Sequence, residues 1–127
     1  MNSPISTPET GFAPLTFAAA VLIDGVGPGF MRVGPHLLRG PLMLSPWGAQ
    51  VWGGLTDLAT PLSLSGRIDV LLFGGGADIA LPPRSFRDAV EQAGIGLDPM
   101  STASAARAYN LLVAEGRRVA LVALPLP

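Results

Sequence analysis

The second half of the chain alternates apolar runs with helical segments, and this order restricts the fold more than any other feature. Ile68 to Phe73 and Val119 to Leu124 are nearly continuous apolar runs, as in strands covered on both faces. Ile95 to Leu97 is a shorter candidate strand. Apolar residues at helical spacing predict one helix opened by Pro82-Pro83 and a second from Thr102 to Glu115. This β-α-β-α-β order favours a parallel sheet with helices on its faces.

The first half is rich in glycine and proline, which predicts short elements and many turns. Phe30 to Val33 reads as a strand, Gly34 to Gly40 as a hairpin connection and Pro41 to Leu44 as the partner strand. Leu15 to Ile23 fits an edge strand or a short helix. We therefore expect a three-layer α/β domain with a central mixed, largely parallel sheet, helices on its faces and an N-terminal β-hairpin addition.

A chain of 127 residues fits one domain with its own core. Its first residues are rich in Ser, Thr and Pro, which is typical of a loose tail. We expect residues 1–20 to form that tail and residues 21–127 to form a single α/β domain.

The residue types that are missing exclude several kinds of chemistry. The chain has no Cys and no Lys, so it has neither a thiol nucleophile nor a Schiff-base lysine. His36 is its one histidine, which excludes a multi-histidine zinc site within one chain. A net charge of −1 argues against a nucleic-acid footprint. We expect no metal and no cofactor, and the inventory favours a protein that is not an enzyme.

The apolar run from Phe12 to Ile23 differs from a targeting or membrane segment. No basic residue precedes Arg32, whereas a signal peptide begins with a basic region. The run is too short to span a bilayer and is interrupted by Pro14. We expect a cytoplasmic protein that does not span a membrane.

A glycine turn is the first candidate site. Gly74, Gly75 and Gly76 follow a predicted strand, and Asp78 comes directly after. Glycines there let a phosphate approach backbone N–H groups closely. The spacing matches neither a dinucleotide-binding nor a Walker loop, and a tight strand-to-helix turn explains the glycines equally.

A polar set on the last helix is the second candidate. Arg107 and Asn110 share one side of that helix, while Tyr109 leans toward its core-facing stripe. Arg and Asn together can hold a carboxylate or phosphate. Arg107 can equally pair with Asp78 or Asp98 across a loop while Asn110 binds a backbone carbonyl. A fold-holding network, a ligand site and a partner surface all remain open.

A set of residues in the C-terminal segment, with earlier landmarks, forms a pattern that is typical of one family. The set consists of Gly94-Ile95, Met100, Thr102, Ala106-Arg107, Tyr109-Asn110, Leu112, Glu115-Gly116-Arg117 and Val119-Ala120, with Ile23-Asp24-Gly25, Phe30, Arg32 and Gly74 before them. On these residues the chain resembles a small, mostly uncharacterised α/β family that includes the mitochondrial respiratory complex I assembly factor three. The likeness extends from about Val21 to Leu124. Two positions depart from the family pattern, Asp98 where it has Glu and Ala108 where it has Thr.

This resemblance implies a three-layer α/β fold and an interaction or assembly role, without established catalytic residues. We therefore expect a non-enzymatic domain that binds protein partners, with respiratory-complex subunits as candidates. The alternative is a small anionic-ligand-binding or enzymatic domain with a site near Gly74 to Gly76 and Arg107. A third hypothesis is a homo-oligomer formed through the hairpin edge.

Overall fold

The computed structural model describes residues 12–127, in which short strands outnumber helices. The predicted tail lies mostly outside these residues, so its division from the domain stays a prediction. The strands are β1 (Leu15–Thr16), β2 (Ile23–Gly27), β3 (Phe30–Val33), β4 (His36–Arg39), β5 (Leu42–Ser45), β6 (Gly48–Val51), β7 (Val70–Gly74), β8 (Gly96–Met100) and β9 (Val119–Ala123). The helices are α1 (Ala59–Leu62), α2 (Arg84–Gln92) and α3 (Thr102–Ala114).

The central sheet has six strands in the order β1-β6-β5-β9-β7-β8. Strand β7 pairs in parallel with β8 and β9, as the alternating second half predicts. The pairs β1–β6, β5–β6 and β5–β9 are antiparallel. The mixed α/β fold is thus confirmed, but its antiparallel pairs outnumber its parallel pairs. The expectation of a largely parallel sheet is corrected. A tight turn between Ser45 and Gly48 reverses the chain from β5 to β6, and the long-range pairs β1–β6 and β5–β9 are antiparallel as well.

The N-terminal hairpin differs from its predicted boundaries. Residues His36 to Arg39, expected as a connection, form β4 and pair with β3 from Val33↔His36 to Phe30↔Arg39. Gly34 supplies a positive φ of 57° at the first position of a two-residue turn, as a tight hairpin requires. Together with β2 these strands form a separate three-stranded sheet. The expected partner strand is β5, which lies in the central sheet instead.

Alternate residues of the buried strand β9 divide the core into two layers. Val119, Leu121 and Ala123 pack on the side of α3 and the small sheet. Ala120 and Val122 face the other side, where α2 contributes buried residues. This alternation across one strand gives the three-layer arrangement that the sequence predicts.

Both predicted helices are present and bury the expected stripes. Phe86 and Val90 of α2 are buried, as are Ala105 and Tyr109 of α3. The side chain of Ser101 caps α3 by accepting a hydrogen bond from the Ser104 N–H at 3.1 Å. Within residues 12–127, no helix is long and apolar enough to cross a membrane.

Candidate functional site

The glycine turn is bound to the rest of the protein through its own backbone. The Gly75 N–H donates to the Met100 C=O at 2.9 Å, and the Gly76 N–H donates to Thr102 Oγ1 at 2.9 Å. Thr102 is buried, and its hydroxyl donates in turn to the Leu124 C=O at 2.7 Å. Two N–H groups that a phosphate would use therefore already have partners. The geometry is that of a strand-to-helix turn held by Thr102.

Asn110 binds backbone rather than a ligand. Its Oδ1 accepts from the Ile23 N–H at 2.8 Å, and its Nδ2 donates to the Ile23 C=O at 2.7 Å. The carboxamide thus occupies the position that a neighbouring strand would take beside β2. A register shift between Ile23 and Gly25 adds a β-bulge next to this contact. Asn110 fastens the small sheet to α3.

Tyr109 belongs to the core layer under α3. Its side chain is fully buried, and its hydroxyl has no hydrogen-bond partner among the described residues. Burial raises the pKa of the Tyr109 phenol far above its ordinary value, so the group stays protonated at neutral pH. Tyr109 contributes apolar packing and presents no surface for binding.

Arg107 lies on the open surface of α3. Its guanidinium donates to Ser104 Oγ at 3.2 Å and is otherwise exposed. It lines a groove of about 170 Å³ between α3 and β2, together with Ile23, Asp24, Gly25, Val26, Ala103, Ala106 and Asn110. Arg107 therefore faces solvent rather than a sealed polar network.

The eight candidate residues do not converge on one site. Thr102, which holds the glycine turn, and Arg107 are five residues apart, about 140° around a helix of 3.6 residues per turn. Asp78 and Asp98 are exposed, and within residues 12–127 neither forms an ion pair with Arg107. The same part of the chain contains no cluster of three His, Asp or Glu side chains suited to a metal.

A carboxylate network that the sequence reasoning missed organises the loop before α1. Asp57 Oδ1 accepts from the Thr60 N–H at 3.0 Å, and Oδ2 accepts from the Gly53 N–H at 2.8 Å. The Asp57 C=O accepts from buried Trp52 Nε1 at 2.9 Å. Desolvation opposes ionisation here, but the bonds from Thr60 and Gly53 outweigh it and lower the pKa of Asp57. In the sequence, the one indication of this network was Asp57 three residues before Thr60, a spacing at which an Asp side chain can accept from a backbone N–H at a helix start.

An apolar surface that sequence reasoning also missed lies between β7 and α2. Ile79 and Leu81 are 69% and 68% exposed. They stand two residues apart in a segment without strand pairing, between the glycine turn and Pro82-Pro83. The sequence offers no local signal for this exposure, because apolar residues are more often buried.

Comparison with known proteins identifies the class to which this mixed α/β domain belongs. The family described as "Protein of unknown function (DUF498/DUF598)" matches residues 23–124. The chain belongs to this family. An uncharacterized protein of Rhodobacter capsulatus is 49% identical over 111 residues, which cover 87% of this chain and 90% of the relative.

Solved structures share the fold over most of the chain. A crystal structure of a Bartonella henselae protein described as an outer membrane protein has 31% identity and a TM-score of 0.79, covering 87% of this chain and 99% of that one. A Bordetella parapertussis protein has 28% identity and a TM-score of 0.76, with coverage of 85% and 98%. A Bordetella pertussis protein described as a Mth938-like domain, 24% identical with a TM-score of 0.70, covers 86% and 88% and is alike in fold.

Proposed function

We propose that this domain is a non-enzymatic protein-interaction module that acts as an assembly factor. Its docking loop, residues 77–83, carries the interaction. The single observation behind this proposal is the exposure of Ile79 and Leu81, at 69% and 68%. Single exposed apolar residues are ordinary, whereas neighbouring ones indicate an interaction surface. Ile79 and Leu81 are only two residues apart, so the pair is close enough to enter one apolar pocket of a partner.

Both ends of the docking loop are fixed, which favours binding. On one side, Gly75 and Gly76 bond to Met100 and Thr102. On the other side, Pro82 is buried just before α2. A loop held in its binding shape loses less conformational entropy when a partner docks.

Subunits of a respiratory complex are the partners that we propose, and the resemblance to the complex I assembly factor supports this choice. The Bartonella henselae neighbour, described as an outer membrane protein, also fits partners at a membrane. We propose that the domain acts from the cytoplasm. Cell fractionation tests this location, and recovery outside the cytoplasm and inner-membrane fractions contradicts it.

Complementation tests the proposed function in a bacterium that has respiratory complex I and its own copy of this gene. Deleting that copy should lower the level of assembled complex I, and the present chain should restore it. A chain with Ile79→Glu and Leu81→Glu should fail to restore it, because charged side chains cannot enter an apolar pocket. Leu111→Glu is the matched control, since Leu111 is 60% exposed on α3, away from the loop.

Two results would overturn these claims separately. Normal complex I in the deletion strain contradicts the assembly role. Full restoration by the doubly substituted chain contradicts the docking loop. The variants and the wild type should have equal thermal unfolding midpoints. A difference in restored complex I then reports on binding and not on folding.

A second copy of the chain is another partner that we propose, through the open edge of β4. Leu37 is 40% exposed there, and an edge strand offers unpaired backbone groups. The β8 edge of the central sheet is less suited to such pairing, because Pro99 in β8 has no N–H to donate. Sedimentation velocity should detect dimers that Leu37→Lys weakens, and a monomer at every concentration contradicts this contact.

The alternative of a joint anionic-ligand or enzymatic site has less support. The glycine turn has its N–H groups bonded, and Asn110 is committed to Ile23. Arg107 and Asn110 both line the groove between α3 and β2, but the carboxamide of Asn110 is bonded to Ile23, so Arg107 is the member of the pair that can still bind an anion.

A further inference from the structure

The groove between α3 and β2 holds two opposite charges that do not pair with each other. Asp24 and Arg107 both line it, and both are exposed. Within residues 12–127 the ion pairs are Arg84–Asp88 and Arg118–Asp69, so neither charge of the groove is neutralised by a salt bridge. A small ligand that carries both a carboxylate and an ammonium group would complement this arrangement.

Backbone groups of β2 also face this groove. The Gly40 N–H donates to the Gly29 C=O at 3.2 Å, and this bond sets the alternation along β3, in which Met31 and Val33 bond toward β4. Phe30 and Arg32 therefore bond toward β2, where they oppose Gly27 and Gly25.

Val26, which opposes Met31, consequently directs its N–H and C=O away from β3 and toward the groove. The Val26 N–H and C=O can therefore pair with main-chain atoms of a ligand. The Asn110 carboxamide pairs in the same way with the N–H and C=O of Ile23, on the same edge of β2.

The groove is short, and this limits the size of the ligand. Asn110 blocks the edge at Ile23, so an extended chain cannot continue past that point. Ala103 and Ala106 make space on the helix side because their side chains are small. The volume of about 170 Å³ lies below the roughly 300–1,000 Å³ of pockets for larger ligands. A groove of this size suits a ligand no larger than a single small amino acid.

We infer that this groove binds a small zwitterion of the α-amino acid class. Arg107 holds the carboxylate, Asp24 holds the ammonium group, and the Val26 backbone pairs with the ligand between them. A free amino acid and the C-terminus of a peptide both carry an α-carboxylate that Arg107 can bind. The free amino acid also carries the ammonium group that Asp24 holds, so Asp24 favours it over the peptide. The site is separate from the docking loop, so either proposal can fail without the other.

An NMR titration of the whole chain with L-alanine tests this inference. The amide signals of Gly25, Val26, Ala106 and Arg107 should shift and saturate. N-acetyl-L-alanine lacks the ammonium group and L-alaninamide lacks the carboxylate, so each should bind more weakly by about fivefold, the equivalent of roughly 1 kcal/mol for a partly exposed ion pair.

Substitutions in the groove give the second arm of the test. Arg107→Gln and Asp24→Asn should each weaken L-alanine binding about fivefold. Arg39→Gln and Asp98→Asn, exposed charges away from the groove, should leave it unchanged. The absence of saturable shifts up to the solubility limit overturns the inference. Equal binding of L-alanine and N-acetyl-L-alanine also overturns it, in favour of a peptide C-terminus.

Discussion

At the scale of single residues, the polar side chains of α3 divide into two kinds. Thr102 and Asn110 bind backbone groups of distant segments, over 22 and 87 positions in the sequence. Arg107 contacts another side chain of its own helix and otherwise meets solvent. The polar residues that the sequence places together therefore have separate tasks, two in holding the fold and one at an open groove.

Thr102→Val should lower the free energy of unfolding by about 1–3 kcal/mol, measured by urea denaturation. Valine keeps the shape of threonine but removes the hydroxyl, which leaves the Gly76 N–H and the Leu124 C=O without their partner. Thr102→Ser is the control, because it keeps the hydroxyl and loses one methyl group, at a cost of about 0.8 kcal/mol. Equal losses for the two variants would contradict this role of Thr102.

Asp69 gives a prediction on pH. Arg118 donates to both of its carboxylate oxygens, at 2.9 and 3.2 Å, and this hydrogen bonding lowers the pKa of Asp69. Since the folded-state pKa lies below the unfolded-state value of about 3.9, the pair stabilises the fold above that value. The stabilisation disappears as the pH falls through the folded-state pKa.

Urea denaturation at a series of pH values checks this prediction. The difference in stability between the wild type and Asp69→Asn should be largest near neutral pH and vanish in acid. In an Arg118→Gln background, the same substitution should show a weaker dependence on pH, since only the smaller coulombic effect of Arg117 remains. A difference that grows toward acid would contradict the sign of the effect.

At the scale of elements, the sequence predicts the second half of the chain better than the first. Strands β7 and β9 and helices α2 and α3 follow from local patterns, because a buried run and a 3.6-residue stripe each mark one element. The hairpin boundaries were wrong because Gly34 and Gly40 both permit a reversal, and the pairing of β5 with β9 is a long-range choice.

The candidate site was harder to predict for the same reason. Sequence places Arg107, Tyr109 and Asn110 on one helix, but only the packing of β2 decides what Asn110 binds. The exposure of Ile79 and Leu81 depends equally on the tertiary structure, since their apolar character alone favours burial.

The short edge strand β1 depends on one glycine. A Cβ atom on Gly48 would collide with the Leu15 carbonyl oxygen across the β1–β6 pair. Gly48→Ala should therefore separate β1 and lower the free energy of unfolding by about 1–3 kcal/mol.

Amide hydrogen exchange at Phe17 reports this separation directly, because its N–H donates to the Trp47 C=O at 2.9 Å. Exchange should become faster in Gly48→Ala. Gly25→Ala is the matched control, since a Cβ there would meet nothing within 4 Å and should leave exchange at Phe17 unchanged. Unchanged exchange in Gly48→Ala would contradict the dependence of β1 on this contact.

At the scale of the whole molecule, the fold separates structural residues from surfaces that can bind. One core layer joins α3 and the small sheet to the central sheet, and the other joins α2. The docking loop extends from the edge where β7 ends, while the groove of Arg107 lies between α3 and the small sheet. This separation is compatible with the proposed interaction role, because a binding surface can then change without loss of the fold.

Parallel denaturation of two variants tests this separation most directly. Asn110→Ala should lower the free energy of unfolding by about 1–3 kcal/mol, because it leaves the Ile23 N–H and C=O without their partner. The doubly substituted Ile79→Glu, Leu81→Glu chain should stay within about 0.5 kcal/mol of the wild type, as exposed positions do. A stable Asn110→Ala chain beside a strongly destabilised loop variant would contradict the account.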